Sequence, residues 1–300
     1  MNCKDIKIEK ENYDKIKEQE QKKCSNESYP KVLKIKDPPK DKVKYCHGHL
    51  PEPYSLLLIA SPVKTGKSTL ISNLLLNPNF YGKDFFDKVI IISNTIDNCK
   101  TSRHLKKSFE CHNIYNDKII YNLLEEQEKA GVENEEGEKD KRKSVALVFD
   151  DILGSIPSRG LSISNALATR YRHYNIQLLI YSSQVYKGIS NVIRSNCTSF
   201  IMGCPYPSTK EKDKIFEDFG DMYGGKDNLA KIYKIATQGK RYNFMYLNLH
   251  ENPPLAYRNF EKVIAMGDKI IENSNIDMSD DECKDINSDD DYNDIHSDDE

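Results

Sequence analysis

Residues 56–76 read LLLIASPVKTGKSTLISNLLL, and no other stretch restricts the fold as strongly. Leu56–Ile59 is an apolar run of buried-strand length. From Lys67 onward, Leu70, Ile71, Leu74 and Leu75 recur at helical spacing on one face. Between strand and helix lies Ser61-Pro-Val-Lys-Thr-Gly-Lys-Ser-Thr69, which follows the G-x-x-x-x-G-K-[ST] pattern except at its first position. In that setting, backbone N–H groups and the positive end of the helix can cradle phosphates. The candidate nucleotide-binding residues are therefore Ser61, Lys64, Thr65, Gly66, Lys67, Ser68 and Thr69. Lys67 would reach the β- and γ-phosphates, and the Ser68 hydroxyl would sit on Mg²⁺. Ser61 stands where glycine is usual, which leaves the turn less free. The alternative is a chance Gly-Lys-Ser on a loop, and the flanking strand and helix argue against it.

Past residue 54, short apolar runs alternate with helical stretches, the pattern of parallel βαβ units. Strands are expected near 55–60, 88–93, 145–149, 177–182 and 199–202, with a last one near Tyr242–Leu249. Runs such as Val89-Ile-Ile-Ile92 and Val145-Ala-Leu-Val-Phe149 suit strands buried on both faces. Helices are expected at about 161–172, 189–195, 209–219 and 226–236. The expected fold is α/β, a mostly parallel central sheet flanked by helices. Residues 125–143, EEQEKAGVENEEGEKDKRK, show no apolar periodicity and read as an exposed charged insertion.

The strand ending in Phe149-Asp150-Asp151 supplies a second half for the nucleotide site. An acid at the end of a neighbouring parallel strand commonly holds the Mg²⁺ of a phosphate-loop site. Asp150 is the choice for the metal, directly or through water. Asp151 points elsewhere and could orient or deprotonate the attacking water; the bland reading is a solvated pair at a strand end. Leu178-Leu-Ile-Tyr-Ser-Ser-Gln184 ends in a polar residue that can sense the γ-phosphate or position water, or have no role. Thr169-Arg170-Tyr171-Arg172-His173 offers arginines that could reach a neighbouring subunit's phosphates, or simply face solvent at a helix end. Arg194 carries the same ambiguity.

The bulk properties set outer limits. The net charge of −3 conceals a segregation. Residues 268–300 hold fourteen acids against two bases, while residues 1–50 hold thirteen bases against nine acids. Residues 1–50, with Pro30, Pro38 and Pro39, read as a polar extension ending in a short lead-in strand. Residues 51–267 read as the folded domain, and 268–300 as an acidic disordered tail. The domain's mild basicity is compatible with a nucleic-acid partner without establishing one. The eight cysteines form no C-x-x-C pair and the chain opens MNCKDIKIEKEN, so a reduced intracellular setting is expected. Cys46-His47-Gly48-His49 lacks a second ligand pair at zinc spacing and reads as a surface turn. No run of 18 apolar residues occurs, so no transmembrane helix is expected.

The order of parts carries a resemblance: phosphate loop, Asp-Asp strand, T-R-x-R-H, a strand ending in Ser-Gln, then I-R-x-N. Over roughly Tyr54 to Phe260 the chain resembles the DNA-packaging ATPases of poxviruses and other large DNA viruses. Virophages and Polinton-type elements carry relatives, and the group belongs to the FtsK/HerA-like superfamily of P-loop motors. The resemblance implies ATP and Mg²⁺ at Gly66, Lys67 and Ser68, with Asp150 in the metal site. It makes Asp151 the catalytic carboxylate, Gln184 a sensor, and Arg170 or Arg172 a finger acting in trans. It also implies a homo-oligomeric ring, a hexamer, driving double-stranded DNA into a preformed capsid. Capsid or portal-vertex proteins would be its partners, in the host cytoplasm or virion. DNA would be gripped by its phosphates, with Lys187 one basic candidate.

Two rival classes use the same loop. A small-molecule or nucleotide kinase would need an acceptor pocket and an arginine-bearing lid. A nucleotide-binding adaptor without turnover would need a disabled site, and Lys67 and both acids are intact.

Overall fold

A computed structural model describes residues 49–97, 102–132, 142–152 and 162–271. Among these residues a single ten-stranded sheet runs through the domain. Its strands are β1 (Ser55–Ala60), β2 (Lys88–Ser93), β3 (Glu110–His112), β4 (Val145–Asp150), β5 (Ile176–Ser183), β6 (Ser199–Met202), β7 (Met245–Asn248), β8 (Leu255–Arg258), β9 (Lys262–Met266) and β10 (Lys269–Ile270). The spatial order is β10-β9-β8-β7-β6-β1-β5-β4-β2-β3. Strands β1 to β6 pair in parallel, and β7 to β10 continue the sheet antiparallel. The α/β reading therefore holds, with each expected strand present to within a few residues.

Alternation along the strands feeds two cores. Leu56, Leu58, Val145, Leu147 and Phe149 face one layer, while Leu57, Ile59, Ala146 and Val148 face the other. Both faces are covered, so β1 and β4 are apolar without a break over Leu56–Ala60 and Val145–Phe149. Helices α1 (Lys67–Leu76) and α2 (Arg103–Ser108) pack on the second layer through Ile71, Leu74, Leu75 and Leu105. Helices α3 (Asp117–Val132), α4 (Ile163–Arg170), α5 (Asn191–Ser195), α6 (Thr209–Phe219) and α7 (Lys226–Thr237) lie along the first. Three serines start helices at their N-caps. Ser162, Ser190 and Ser208 accept from the backbone N–H groups of Asn165, Ile193 and Glu211. Helix α4 stops at Arg170, and Tyr171–Tyr174 continue as a 3₁₀ turn into β5.

The structure departs from the sequence reading in two places. Residues 125–132, expected as part of an exposed insertion, are the last turns of α3. The apolar positions of that helix, Ile120 and Leu123, precede the stretch, and its own inward residue is an amide. Gln127 is buried, and its Nε2 donates to the carbonyls of Lys143 and Tyr174, both at 2.7 Å. Residues 133–141 lie outside the described ones. Strands β8, β9 and β10 follow the strand expected last, so pairing continues to Ile270, past residue 267. The lead-in strand expected near residue 50 and residues 272–300 of the acidic tail fall outside the described residues. So do Cys46–Gly48; His49 stacks on Tyr257 with ring centroids 4.7 Å apart.

Candidate nucleotide site

The site lies at the carboxyl ends of β1, β5 and β4, where ligands bind in open α/β sheets. Strand β5 sits between the loop strand and the acid strand. Its last residues therefore stand between the two halves of the site. Register fixes the arrangement: Ala60 pairs with Ser183 and Met202, and Asp150 pairs with Ser182 and Ser93.

The loop after β1 folds without a glycine at its first position. Its left-handed residues are Lys64 (φ 62°) and Gly66 (φ 89°), so Ser61 needs none of the freedom glycine would supply. Ser61 is buried; its N–H donates to Ser183 O at 3.0 Å and its hydroxyl bonds the Thr65 hydroxyl. Thr65 Oγ1 in turn donates to Pro62 O at 2.6 Å. The space for the Ser61 side chain comes from the next strand. A Cβ on Gly203, just past β6, would lie 2.9 Å from Ser61 Cβ and closer still to its hydroxyl. The loop's missing glycine is thus matched by one across the sheet. Gly66 starts α1 and leaves its first N–H groups open at the helix N-terminus. Ser68 and Thr69 follow in the first turn, Ser68 half-buried and Thr69 exposed.

Lys67, Asp151 and Gln184 converge. Lys67 Nζ lies 2.5 Å from Asp151 Oδ1, and Gln184 Nε2 donates to Asp151 Oδ2 at 3.1 Å. Asp151 has left the strand in a left-handed conformation, φ 52°, and its carboxylate takes partners different from those of Asp150. Asp150 is 4% exposed and accepts from Ser182 Oγ at 2.8 Å and Ser93 Oγ at 3.1 Å. Burial pushes its carboxyl above the ordinary range. The Asp151 charge adds to that, while the Ser182 hydroxyl, the Lys67 ammonium and the Ser93 hydroxyl pull the other way.

Ser93 and Ser182 escaped the sequence reading. Nothing in their local sequence marks them; register across three strands brings their hydroxyls to Asp150. The Ser68 hydroxyl and the Asp150 carboxylate are hard oxygen donors of the kind Mg²⁺ takes alongside phosphates and water. Among the described residues no three His, Cys, Asp or Glu side chains cluster as a metal cage.

Arg170 and Arg172 are not brought to this site. They precede the amino end of β5, whose eight residues separate them from Gln184 by roughly 23 Å. Both are exposed, and Arg172 lies over the Tyr171 ring at 5.7 Å. Arg194 is largely buried: its Nη1 is 3.2 Å from Asp218 Oδ2 and its guanidinium 5.0 Å from the Tyr186 ring centroid. Lys187 is exposed just beyond Gln184, its backbone N–H donating to Glu211 Oε2 at 3.0 Å.

Loop, strand order and the two acids together define the fold as that of the P-loop NTPases. No protein-family model and no curated protein matches the chain. Solved structures do. The DNA-packaging ATPase B204 from Sulfolobus turreted icosahedral virus is 16% identical at TM-score 0.49, over 69% of this chain and 98% of that one. The genome packaging NTPase B204 from Sulfolobus turreted icosahedral virus 2, in complex with sulfate, is 14% identical at TM-score 0.45, over 68% and 95%. EssC (ATPases 2 and 3) from Geobacillus thermodenitrificans is 14% identical at TM-score 0.39, over 54% and 34%. At such values the likeness carries no argument about function, and the site's own geometry must carry it. No helix among the described residues is long and apolar enough to cross a membrane.

Proposed function

We propose that this chain binds ATP with Mg²⁺, hydrolyses it, and works as a DNA-translocating motor that packages a double-stranded viral genome into a capsid. The observation that carries the hydrolase reading is the contact of Lys67 with Asp151 at 2.5 Å and of Gln184 with Asp151 at 3.1 Å. A cation aimed at phosphate, a carboxylate able to accept a proton and an amide able to hold water meet at three adjoining strand ends. Bound Mg²⁺ would supply positive charge to the phosphates. Ser68 and Asp150 would hold it, with Ser93 and Ser182 fixing the Asp150 carboxylate.

An arriving γ-phosphate would compete for the Lys67 ammonium. Phosphate oxygens would replace Asp151 Oδ1 as its partner, and Asp151 would then be free to accept a proton from water. Gln184, already bonded to the other carboxylate oxygen, would orient that water. The motor reading rests on the order of motifs. In it, Arg170 and Arg172, distant from their own loop, act on a neighbour's nucleotide in a ring, and DNA is held through its phosphates.

An ATPase assay with and without double-stranded DNA, coupled to sizing of the oligomer, tests this. Hydrolysis stimulated by DNA in a ring-sized species is expected. Asp151→Asn should bind ATP without turning it over, and Lys67→Ala should lose hydrolysis. Arg170→Ala and Lys67→Ala subunits, each inactive alone, should regain activity when mixed. An ordered oligomer that binds ATP but never hydrolyses it, with or without DNA, would refute the motor reading.

A further inference from the structure

We propose that the ring of Tyr242 is the platform on which the base of the bound nucleotide stacks. This rests on the nucleotide-site reading above and assigns the half of the ligand that the phosphate loop leaves unaccounted for.

Tyr242 is 57% exposed although it stands beside the loop. A Cβ placed on Gly66 would be 3.4 Å from its Cδ1 and 3.9 Å from its Cγ, so the ring lies about one methyl group away from the Gly66 backbone. Much of its surface faces solvent at the start of α1. An exposed aromatic beside a phosphate-binding loop offers what a base needs: a flat apolar face next to the polyphosphate. Arg241 adds a guanidinium with Cζ 5.5 Å from the Tyr242 ring centroid. Aromatic rings and arginine planes are the side chains that bind bases by stacking.

The direction of the ligand puts its base on this side. Lys67 aims at Asp151 beyond β4, and Gln184 follows β5, so the terminal phosphate belongs on the β5–β4 side of β1. The phosphate chain then runs across the start of α1 toward the opposite flank, which is β6 and β7. Tyr242 stands there, three residues before β7 begins at Met245, where β7 pairs with the carboxyl end of β6 through Met202.

The segment is also held in place before any ligand arrives. Asn243, nearly fully buried, donates from Nδ2 to Gln238 O at 2.8 Å and from its backbone N–H to Lys240 O at 3.1 Å. Asn259 ties it to the sheet: Asn259 Nδ2 donates to Asn243 Oδ1 at 3.2 Å, and Phe244 N donates to Asn259 Oδ1 at 3.1 Å. A platform fixed in advance does not have to be ordered on binding.

The chain contains no tryptophan, so Tyr242→Trp in this chain of 300 residues creates a single indole reporter. ATP should quench its emission saturably, and inorganic tripolyphosphate, bound to the same loop, should not. In competition binding, Tyr242→Ala should weaken ATP on the order of 10-fold and leave tripolyphosphate affinity unchanged. Equal weakening of both ligands would show that Tyr242 merely supports the loop, and unchanged ATP affinity would show that it does nothing; either overturns the platform. A wild-type protein that binds tripolyphosphate and ATP equally well also overturns it while leaving the phosphate site standing. A wild type that binds neither removes the nucleotide site itself, and the platform with it.

Discussion

Gly203→Ala should collapse the phosphate loop, and Ser61→Gly should rescue it. Gly203 cannot retreat from an added methyl. Its N–H donates to Ala60 O at 3.0 Å, and its carbonyl accepts from the Tyr233 hydroxyl at 2.9 Å. The new Cβ would meet Ser61 Cβ at 2.9 Å and the Ser61 hydroxyl more closely, well inside ordinary contact. Overpacking of this kind costs about 1–3 kcal/mol. For a domain of this size each kcal/mol moves Tm by roughly 2–4 °C, so a loss near 2 kcal/mol is a drop of about 4–8 °C. ATP binding should fall with it, because Ser61 opens the loop.

Ser61→Gly alone removes the hydroxyl bond to Thr65 and adds chain freedom, together about 1–2 kcal/mol. In the double variant both offending atoms are gone, and the nearest remaining Ser61 atom, Cα, is 3.5 Å from the new methyl, an ordinary contact. The double variant should therefore be no less stable than Gly203→Ala alone and should bind ATP better than it does. Calorimetric melting and ATP titration of all four proteins give the coupling, expected at about 1–3 kcal/mol in favour of the pair. Additive losses would refute the idea that the two positions share one volume.

Arg194→Ala should lower stability by about 1–3 kcal/mol, because it deletes a largely buried partner of Asp218 and the cation over Tyr186. An unchanged Tm would show that the pair contributes nothing. Asn175→Ala should cost about 3 kcal/mol in urea unfolding. It places Ala at φ 51° and removes the bonds to the Tyr54 hydroxyl (2.8 Å) and to the Arg142 and Lys143 carbonyls (3.0 and 3.1 Å). Asn175→Gly should recover only the backbone share, about 1 kcal/mol. Burial pushes the Cys111 thiol up to about 11 and Cys197 to about 12. Both stay protonated at pH 8, so iodoacetamide should label them slowly in the native protein and readily after denaturation. Fast native labelling of Cys197, which is only partly exposed, would contradict the raised pKa.

Local information determined the first half of the site. The apolar run before Ser61, the helical spacing after Lys67 and the Gly-Lys-Ser between them lie within some twenty residues. Hydrophobic periodicity and turn chemistry are properties of neighbours in sequence. For the same reason Val145–Asp151 was legible as a buried strand ending in acids. The short strands at Leu255–Arg258 and Lys262–Met266 were not, because no crossover helix separates them from the strand before and the alternation that marks βαβ units stops there.

Which strands lie side by side is set by long-range packing, and most of the site's detail depends on that. Because β5 runs between β1 and β4, Gln184 reaches Asp151 and Ser182 reaches Asp150. Because β6 flanks β1 on the other side, Gly203 makes room for Ser61 and the approach to β7 brings Tyr242 beside Gly66. The same order leaves Arg170 and Arg172 at the far end of β5, although they stand nearer to Gln184 in sequence than Asp150 does. Parallel strands are joined by long crossovers, so closeness along the chain says little about closeness at a strand end. A phosphate loop and two acids at a strand end are properties of short stretches of chain. Strand order, set by packing apolar residues on both faces of one sheet, determined what surrounds them.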